Sequence, residues 1–281
     1  MLIFHSASEL QKNLNSSATS IGLVPTMGGL HFGHISLIQK AIKDNMRVIV
    51  SIYLNPTQFN QSEDLENYPM NIEKDLKILM ALKNNLILYI PNNQEMYPTG
   101  ISSKKYDFGS LSKYMEGKVR PGHFDGVATI VEALFEKIKP DKAYFGEKDF
   151  QQLQVVRALN KNLNLGIEII ACKTVRTSEG LALSSRNSFL SSRQIDNAKV
   201  IYQTLKYINT KISDWSIEEM KYYFKSKIEA YEDFKLEYFC VVTPCDLVPV
   251  TFLDSKKEYR VFVAVFAGKT RLIDNIKLFR I

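Results

Sequence analysis

The chain has 281 residues, 45% hydrophobic and 23% charged, a globular balance that excludes a disordered or fibrous protein and is long enough for one large domain or two. Its net charge of +6 comes from 36 basic against 30 acidic residues, spread without a basic stripe or aromatic-interleaved tract, so a nucleotide accounts for it as well as a nucleic acid would. No apolar run reaches membrane-spanning length, and the first twenty residues carry Glu9 and Lys12 in place of a signal-peptide core, so a cytoplasmic protein with no membrane partner is expected.

Ser6-Ala7-Ser8-Glu9 has the form of a capping box, and Leu10 and Leu14 continue a short helix behind it. The apolar run 21–24 predicts a short buried strand that stops at Pro25. Gly28 and Gly29 then allow a tight turn with no Cβ between backbone and ligand. A helix follows at once, with Ile35, Ile38, Ala41 and Ile42 on one face. Two of the four histidines, His31 and His34, thus fall three residues apart at the start of that helix, where side chains share a face. Unpaired backbone N–H groups and the positive end of the helix dipole make the same spot an anion site. A strand–glycine–helix junction is common, and a lone histidine is more often a satisfied polar residue than a catalyst. Paired here as His-x-Gly-His, they resemble a nucleotidyl-transferase superfamily and point to phosphate chemistry.

Residues 46–54 are β-branched and nearly continuous, as a fully buried parallel strand requires. They run into Asn55-Pro56-Thr57-Gln58-Phe59, beyond the carboxyl end of a strand, where recognition groups belong; an ordinary Asn-Pro turn reads the same way. An amphipathic helix over 71–85 and a strand over 86–90 continue an alternation that implies a parallel, doubly wound sheet. From 92 to 124 the pattern lapses, and a connection that long is functional or partly structured. Its end, Arg120-Pro121-Gly122-His123-Phe124, carries another histidine. Val127, Ile130, Val131, Leu134, Phe135 and Ile138 mark the cleanest helix, which ends at Pro140. A strand over 142–145 then meets Gly146-Glu147-Lys148-Asp149, a second strand-to-helix junction. A cation there suits phosphate, and an acid suits ribose hydroxyls or a metal; a solvated turn is the plainer account.

A strand over 167–175 leads to Gly180-Leu181-Ala182-Leu183-Ser184-Ser185-Arg186-Asn187, where two hydroxyls and a guanidinium fork suit phosphate oxygens. Helices over 192–212 and 216–230 and strands over 236–242, 260–267 and 270–278 follow, with few catalytic groups. This change of texture divides the chain into an α/β, Rossmann-like doubly wound domain over 1–186 and a smaller α+β domain over 187–281. The three cysteines, Cys172, Cys240 and Cys245, lack the paired spacing of a zinc site. Cys240 and Cys245 lie in or near strand-like sequence and read as small buried hydrophobes.

Taken together, Pro25-Thr26-Met27-Gly28-Gly29-Leu30-His31-Phe32-Gly33-His34, Asn55-Pro56-Thr57-Gln58-Phe59, Arg120-Pro121-Gly122-His123-Phe124, Phe145-Gly146-Glu147-Lys148-Asp149-Phe150-Gln151-Gln152 and Gly180 to Asn187 resemble the pantoate–β-alanine ligase family. The resemblance runs from Leu2 to Arg271-Leu272-Ile273-Asp274-Asn275. It implies ATP-dependent condensation of (R)-pantoate with β-alanine through pantoyl adenylate, with Mg²⁺ as the counter-ion of ATP and a homodimer whose smaller domain closes over the site. It matches His34 to the active-site acid, with His31, Lys148, Ser184, Ser185 and Arg186 as its catalytic companions. It gives Met27 through His34, Gly146 through Asp149, Val175 (to adenine through its backbone) and Leu183 through Arg186 to ATP. Gln58 and Gln152 hold pantoate, and Gln58 also β-alanine, with Asn55 close by. Two positions depart from the family pattern. Gly29 replaces a larger residue and is expected to loosen its loop, and Met70 follows Tyr68-Pro69 where arginine is common. A mononucleotide adenylyltransferase would share His-x-Gly-His and Ser-Ser-Arg but not the Asn-Pro-x-Gln-Phe or Gly-Glu-Lys-Asp-Phe-Gln-Gln runs.

Overall fold

Six strands, β1 (Leu2–Phe4), β2 (Ile21–Thr26), β3 (Arg47–Ile52), β4 (Leu86–Tyr89), β5 (Lys142–Gly146) and β6 (Glu168–Cys172), build the first sheet of a computed structural model that describes residues 1–14, 20–82 and 86–279. Their order is β1-β4-β3-β2-β5-β6, and every pairing is parallel. Parallel strands need cover on both faces, and the apolar run of β3 meets that need: Val48, Ile49, Val50 and Ile52 are all buried. Val24, Leu30, Ile38, Ala41, Val50, Leu79 and Leu88 join in one core cluster, which seats the helices Phe32–Asp44 and Ile72–Ala81 on the sheet.

The chain steps from β2 through β3 to β4 on one side, then returns to lay β5 and β6 on the other. Direction therefore reverses between β2 and β5, where an open α/β sheet has its ligand crevice. The register opens that crevice. β2 stays paired with β3 as far as Thr26 and Ile52, but meets β5 only at Gly22 and Leu23.

Pro25 does not end β2, contrary to expectation. Ile21 accepts from the Asp141 N–H on the β5 side, and by the two-residue period Pro25 faces that side too. Since β5 no longer pairs there, the missing proline N–H leaves no ladder bond unmade. The helix expected over 71–85 is Ile72–Ala81, with residues 83–85 outside those described. The clean helix is His123–Ile138, four residues longer at its start than its stripe implied.

The chain forms two compact units, residues 1–108 with 120–173, and residues 109–119 with 174–281. The second is α+β. Strands β7 (Phe234–Val242), β8 (Tyr259–Ala267) and β9 (Thr270–Leu278) make an antiparallel sheet in that order. The helices Ser192–Thr210 and Ile217–Ile228 pack on it through Leu205, Ile208, Met220 and Phe224. The division thus falls after Lys173 rather than near 187, because Leu181 and Leu190 are buried in this second core. The lapse after residue 92 is partly structured, and its 109–119 portion joins the second unit. There Glu116 takes both prongs of Arg271, at 2.9 and 2.7 Å, and accepts from the Tyr238 hydroxyl at 2.7 Å. Cys172 is buried and Cys240 half-buried, but Cys245 is exposed in the turn after β7, where no sheet or helix covers it.

Candidate active site

The carboxyl end of β2 delivers the glycine loop and its histidines to the crevice, and that of β5 delivers Glu147, Lys148 and Asp149. Gly28 and Gly29 take φ of +80° and +63°, which glycine reaches without strain. A Cβ on Gly28 would stand 2.8 Å from Met70 Cγ and 3.0 Å from Asp75 Oδ2. Asp75, 1% exposed, accepts from the Gly29 and Leu30 N–H groups at 2.8 and 2.7 Å. The Thr26 hydroxyl accepts from the Gly28 N–H and donates to the Ser51 carbonyl. The loosening expected at Gly29 is thus opposed by a buried carboxylate on a neighbouring helix.

The two histidines cap their own helix. His31 Nδ1 accepts from the Gly33 N–H at 3.0 Å, and His34 Nδ1 accepts from the His31 N–H at 3.3 Å, a capping box built of imidazoles. Gly33 is required because a Cβ there would lie 2.7 Å from His31 Cε1. A backbone N–H only donates, so each Nδ1 presents its lone pair and the proton of the neutral ring sits on Nε2. Neutrality follows from the surroundings. Burial, with the Lys148 charge acting in the same direction against a smaller effect of Asp149, lowers His31 to about 4. Burial, then His31 and Lys148, lower His34 to about 3. The rings lie 4.1 Å apart and are neutral Nε2–H donors at pH 7.

This revises the expected anion site. The N–H groups of Gly28, Gly29, Leu30, His31 and Gly33 are all taken by Thr26, Asp75 and the imidazoles. Ring N–H groups stand in for backbone ones. Lys148, whose charge bears on both rings, pairs with Asp149 at 3.3 Å, so these four side chains come together.

The Pro56–Gln58 turn is preset with equal care. Asn55, 1% exposed, donates to Gln58 Oε1 and to the Gly126 carbonyl, each at 3.1 Å, and accepts from Thr57 and Tyr97. Its polar atoms are all engaged within the protein, so it positions Gln58 and does not itself reach outward. Gln58 Nε2 donates to Met27 Sδ at 3.1 Å. The Gln58 carbonyl accepts from His123 Nδ1 at 2.9 Å and from Arg120 at 3.2 Å. A Cβ on Gly126 would lie 2.3 Å from the Thr57 carbonyl oxygen, so only glycine lets the helix His123–Ile138 approach this turn. Gln152 stands half-buried in the first turn of the helix Phe150–Asn162.

Val175 and Leu183 through Arg186 belong to the second unit. The Val175 carbonyl accepts from the Leu183 N–H at 3.0 Å. The Ser184 hydroxyl caps the short turn Ser185–Phe189 by accepting from the Arg186 N–H at 3.3 Å. The site residues that sequence reasoning missed are Asp75, Arg120 and the roles of Gly33 and Gly126. For Asp75 a signal exists: it shares a helix face with Ile72 and Leu79, where an apolar residue is expected.

A profile of the pantoate-beta-alanine ligase family matches residues 2–277. A pantothenate synthetase of Christiangramia forsetii is 44% identical over 267 residues, spanning 95% of this chain and 94% of its own. Among solved structures, pantothenate synthetase from Thermus thermophilus superposes with a TM-score of 0.91 at 37% identity over 100% of both chains. Pantoate-beta-alanine ligase from Francisella tularensis, complexed with beta-gamma ATP and beta-alanine, gives 0.82 at 38% identity over 98% of this chain and 97% of its own. With its glycine loop, paired histidines and second junction all set at one switch point, the chain belongs to the pantoate–β-alanine ligase family.

Proposed function

We propose that the crevice between β2 and β5 performs the family's ligation in two steps, with ATP, (R)-pantoate and β-alanine as substrates. A pantoate carboxylate oxygen attacks the α-phosphorus of ATP; the new O–P bond forms as the bond to the bridging oxygen breaks, and pyrophosphate leaves with that electron pair. The neutral amine of β-alanine then attacks the acyl carbon of pantoyl adenylate and loses a proton, and AMP departs with the former carboxylate oxygen. Oxide would be an impossible leaving group from free pantoate, so adenylation splits one hard step into two.

The observation that carries this reading is the pair of imidazoles held neutral, with Nε2–H donors set by the cap. Donors already oriented cost no reorganisation as charge builds on the departing phosphates. His34, at the position the resemblance matches to the active-site acid, acts in this step as the leading Nε2–H donor to the developing phosphate charge, with His31 and Lys148 beside it. Met27 through His34 and Gly146 through Asp149 hold ATP, Val175 meets adenine, and Leu183 through Arg186 cover the triphosphate. Gln58, its amide fixed by Asn55 and Met27, holds pantoate with Gln152 and then receives β-alanine.

Mg²⁺ belongs to the same reading and supplies charge neutralisation on the triphosphate. Such an ion would be carried mostly by phosphate oxygens and water, beside the second junction, where Asp149 pairs with Lys148 at 3.3 Å. A cytoplasmic homodimer is likewise part of the proposal: the location rests on the charged first twenty residues, and the dimer on the family resemblance. Among the described residues no helix is long and apolar enough to cross a membrane.

The test is pyrophosphate release from ATP and Mg²⁺. Pantoate alone should give a single turnover, and adding β-alanine should make release continuous. A folded, ATP-binding protein with no pantoate-dependent release would overturn the acceptor and favour an adenylyltransferase.

A further inference from the structure

The second unit holds a buried ion pair that the two-step scheme leaves unused. Arg176 follows Val175 at the base of a hairpin that ends at Ser184. Its guanidinium grips Asp274 on β9 with two prongs, at 2.6 and 2.8 Å. Asp274 is 4% exposed and also accepts from the Asn275 N–H at 2.7 Å. The same guanidinium donates to the Gly180 carbonyl at 3.1 Å and lies 3.8 Å over the Tyr202 ring. That ring fills the space a side chain on Gly180 would need, 2.5 Å from its Cβ, and Gly180 has φ of +108°. One side chain thus joins the sheet, the hairpin tip and the helix Ser192–Thr210.

The hairpin itself is closed by the Arg176–Ala182 bridge and by the Leu183 N–H on the Val175 carbonyl. Asn187 Nδ2 reaches back to the Ala182 carbonyl at 3.1 Å. Fixing Arg176 therefore fixes two things: the peptide that presents the Val175 carbonyl, and the point where Ser184-Ser185-Arg186 leaves the hairpin. A buried ion pair adds little net stability over a hydrophobic replacement. Its geometry is what it contributes here, and only arginine supplies both fork and stacked plane.

We propose that Arg176 and Asp274 are positioning residues for adenylate formation, holding the hairpin that presents the Val175 backbone and the Ser184–Arg186 loop to the nucleotide. The inference rests on the reading of Val175 and that loop as nucleotide contacts.

Full-length Arg176→Lys and Asp274→Asn test it, through pantoate-dependent pyrophosphate release with ATP and with GTP, and through thermal melts. We expect kcat with ATP to fall about 10- to 100-fold while KM for pantoate stays as it was. The preference for ATP over GTP should narrow, because a loosened Val175 backbone distinguishes adenine from guanine less well. Ile228→Ala, which opens a cavity in the same core, is the stability control. It should lower the melting temperature at least as far and leave kcat and base preference intact. Normal kcat and preference in both clamp variants would overturn the proposal, as would equal kinetic losses in Ile228→Ala. Ser184→Ala and Arg186→Ala separate the two layers. If these are impaired while the clamp variants are normal, only the clamp fails; if they are normal, the nucleotide reading of the loop fails and takes the clamp with it.

Discussion

One hydrogen atom on the Gly33 Cα decides whether the His31 ring can sit over its helix. Gly33→Ala would force a methyl to within 2.7 Å of His31 Cε1, expelling the ring and the cap it forms. The expected cost is about 1 kcal/mol in stability, with a much larger loss of adenylation because the Nε2–H is no longer aimed. His34→Ala removes the donor outright, and pantoate-dependent pyrophosphate release should fall by roughly 10²- to 10³-fold; near-normal release would take His34 out of the reaction. The same rings make the fold acid-sensitive. Their folded values, about 4 for His31 and about 3 for His34, lie below the ordinary 6.5. Between these values the unfolded chain binds protons that the folded one refuses, so stability is whole above pH 6.5 and falls as the pH falls toward 4. Denaturation at pH 7 and pH 5 should show the natural chain losing on the order of 3–4 kcal/mol more than the His31→Gln, His34→Gln double variant. Equal losses would mean that the rings are not held neutral.

At the scale of elements, the site depends on two close approaches that side chains report only indirectly. Helix Ile72–Ala81 reaches the glycine loop through Asp75. Asp75→Ala should cost about 1–3 kcal/mol by leaving the Gly29 and Leu30 N–H groups unsatisfied, and should raise KM for ATP; Asp75→Asn, keeping one acceptor oxygen, should lie between. A melting temperature unchanged in Asp75→Ala would refute the tie. Periodicity locates β2 through β6 and the major helices, because burial on one face writes its period into the residues. It also places His31, His34 and Lys148 at strand-to-helix junctions. Asp75 does interrupt the apolar face of Ile72 and Leu79, but acids are ordinary in a first helical turn, where the dipole favours them, and that masks the signal. β1 is too short for a pattern of its own and exists only by pairing with β4. Pro25, the division after Lys173 and the exposure of Cys245 likewise depend on what lies beside each segment in space. Gly33 and Gly126 read as permissive residues when each in fact makes room for a particular neighbour.

For the whole molecule, the decisive fact is that the chain enters its second unit twice, first with 109–119 and again from residue 174. The early excursion carries a buried ion pair into that unit. Glu116, 8% exposed, meets Arg271 and Tyr238, and Arg271 also pairs with Glu237 at 2.6 Å. Burial and the neighbouring Glu116 carboxylate push the Tyr238 hydroxyl well above its ordinary value, so it remains a donor to Glu116. Removing the cation alone strands the carboxylate: Arg271→Met should destabilise the second unit by about 3–5 kcal/mol. Removing the Glu116 charge as well, in Arg271→Met with Glu116→Gln, should recover most of that loss, since Glu237 is exposed and desolvation of the two buried ions offsets much of their attraction. The sole tryptophan, Trp215, packs against the second core, so its fluorescence follows this unit in a urea titration even where the whole chain does not unfold in a single step. A single variant that costs no more than the double one would show that the excursion is held by its backbone contacts, with the ion pair a passenger.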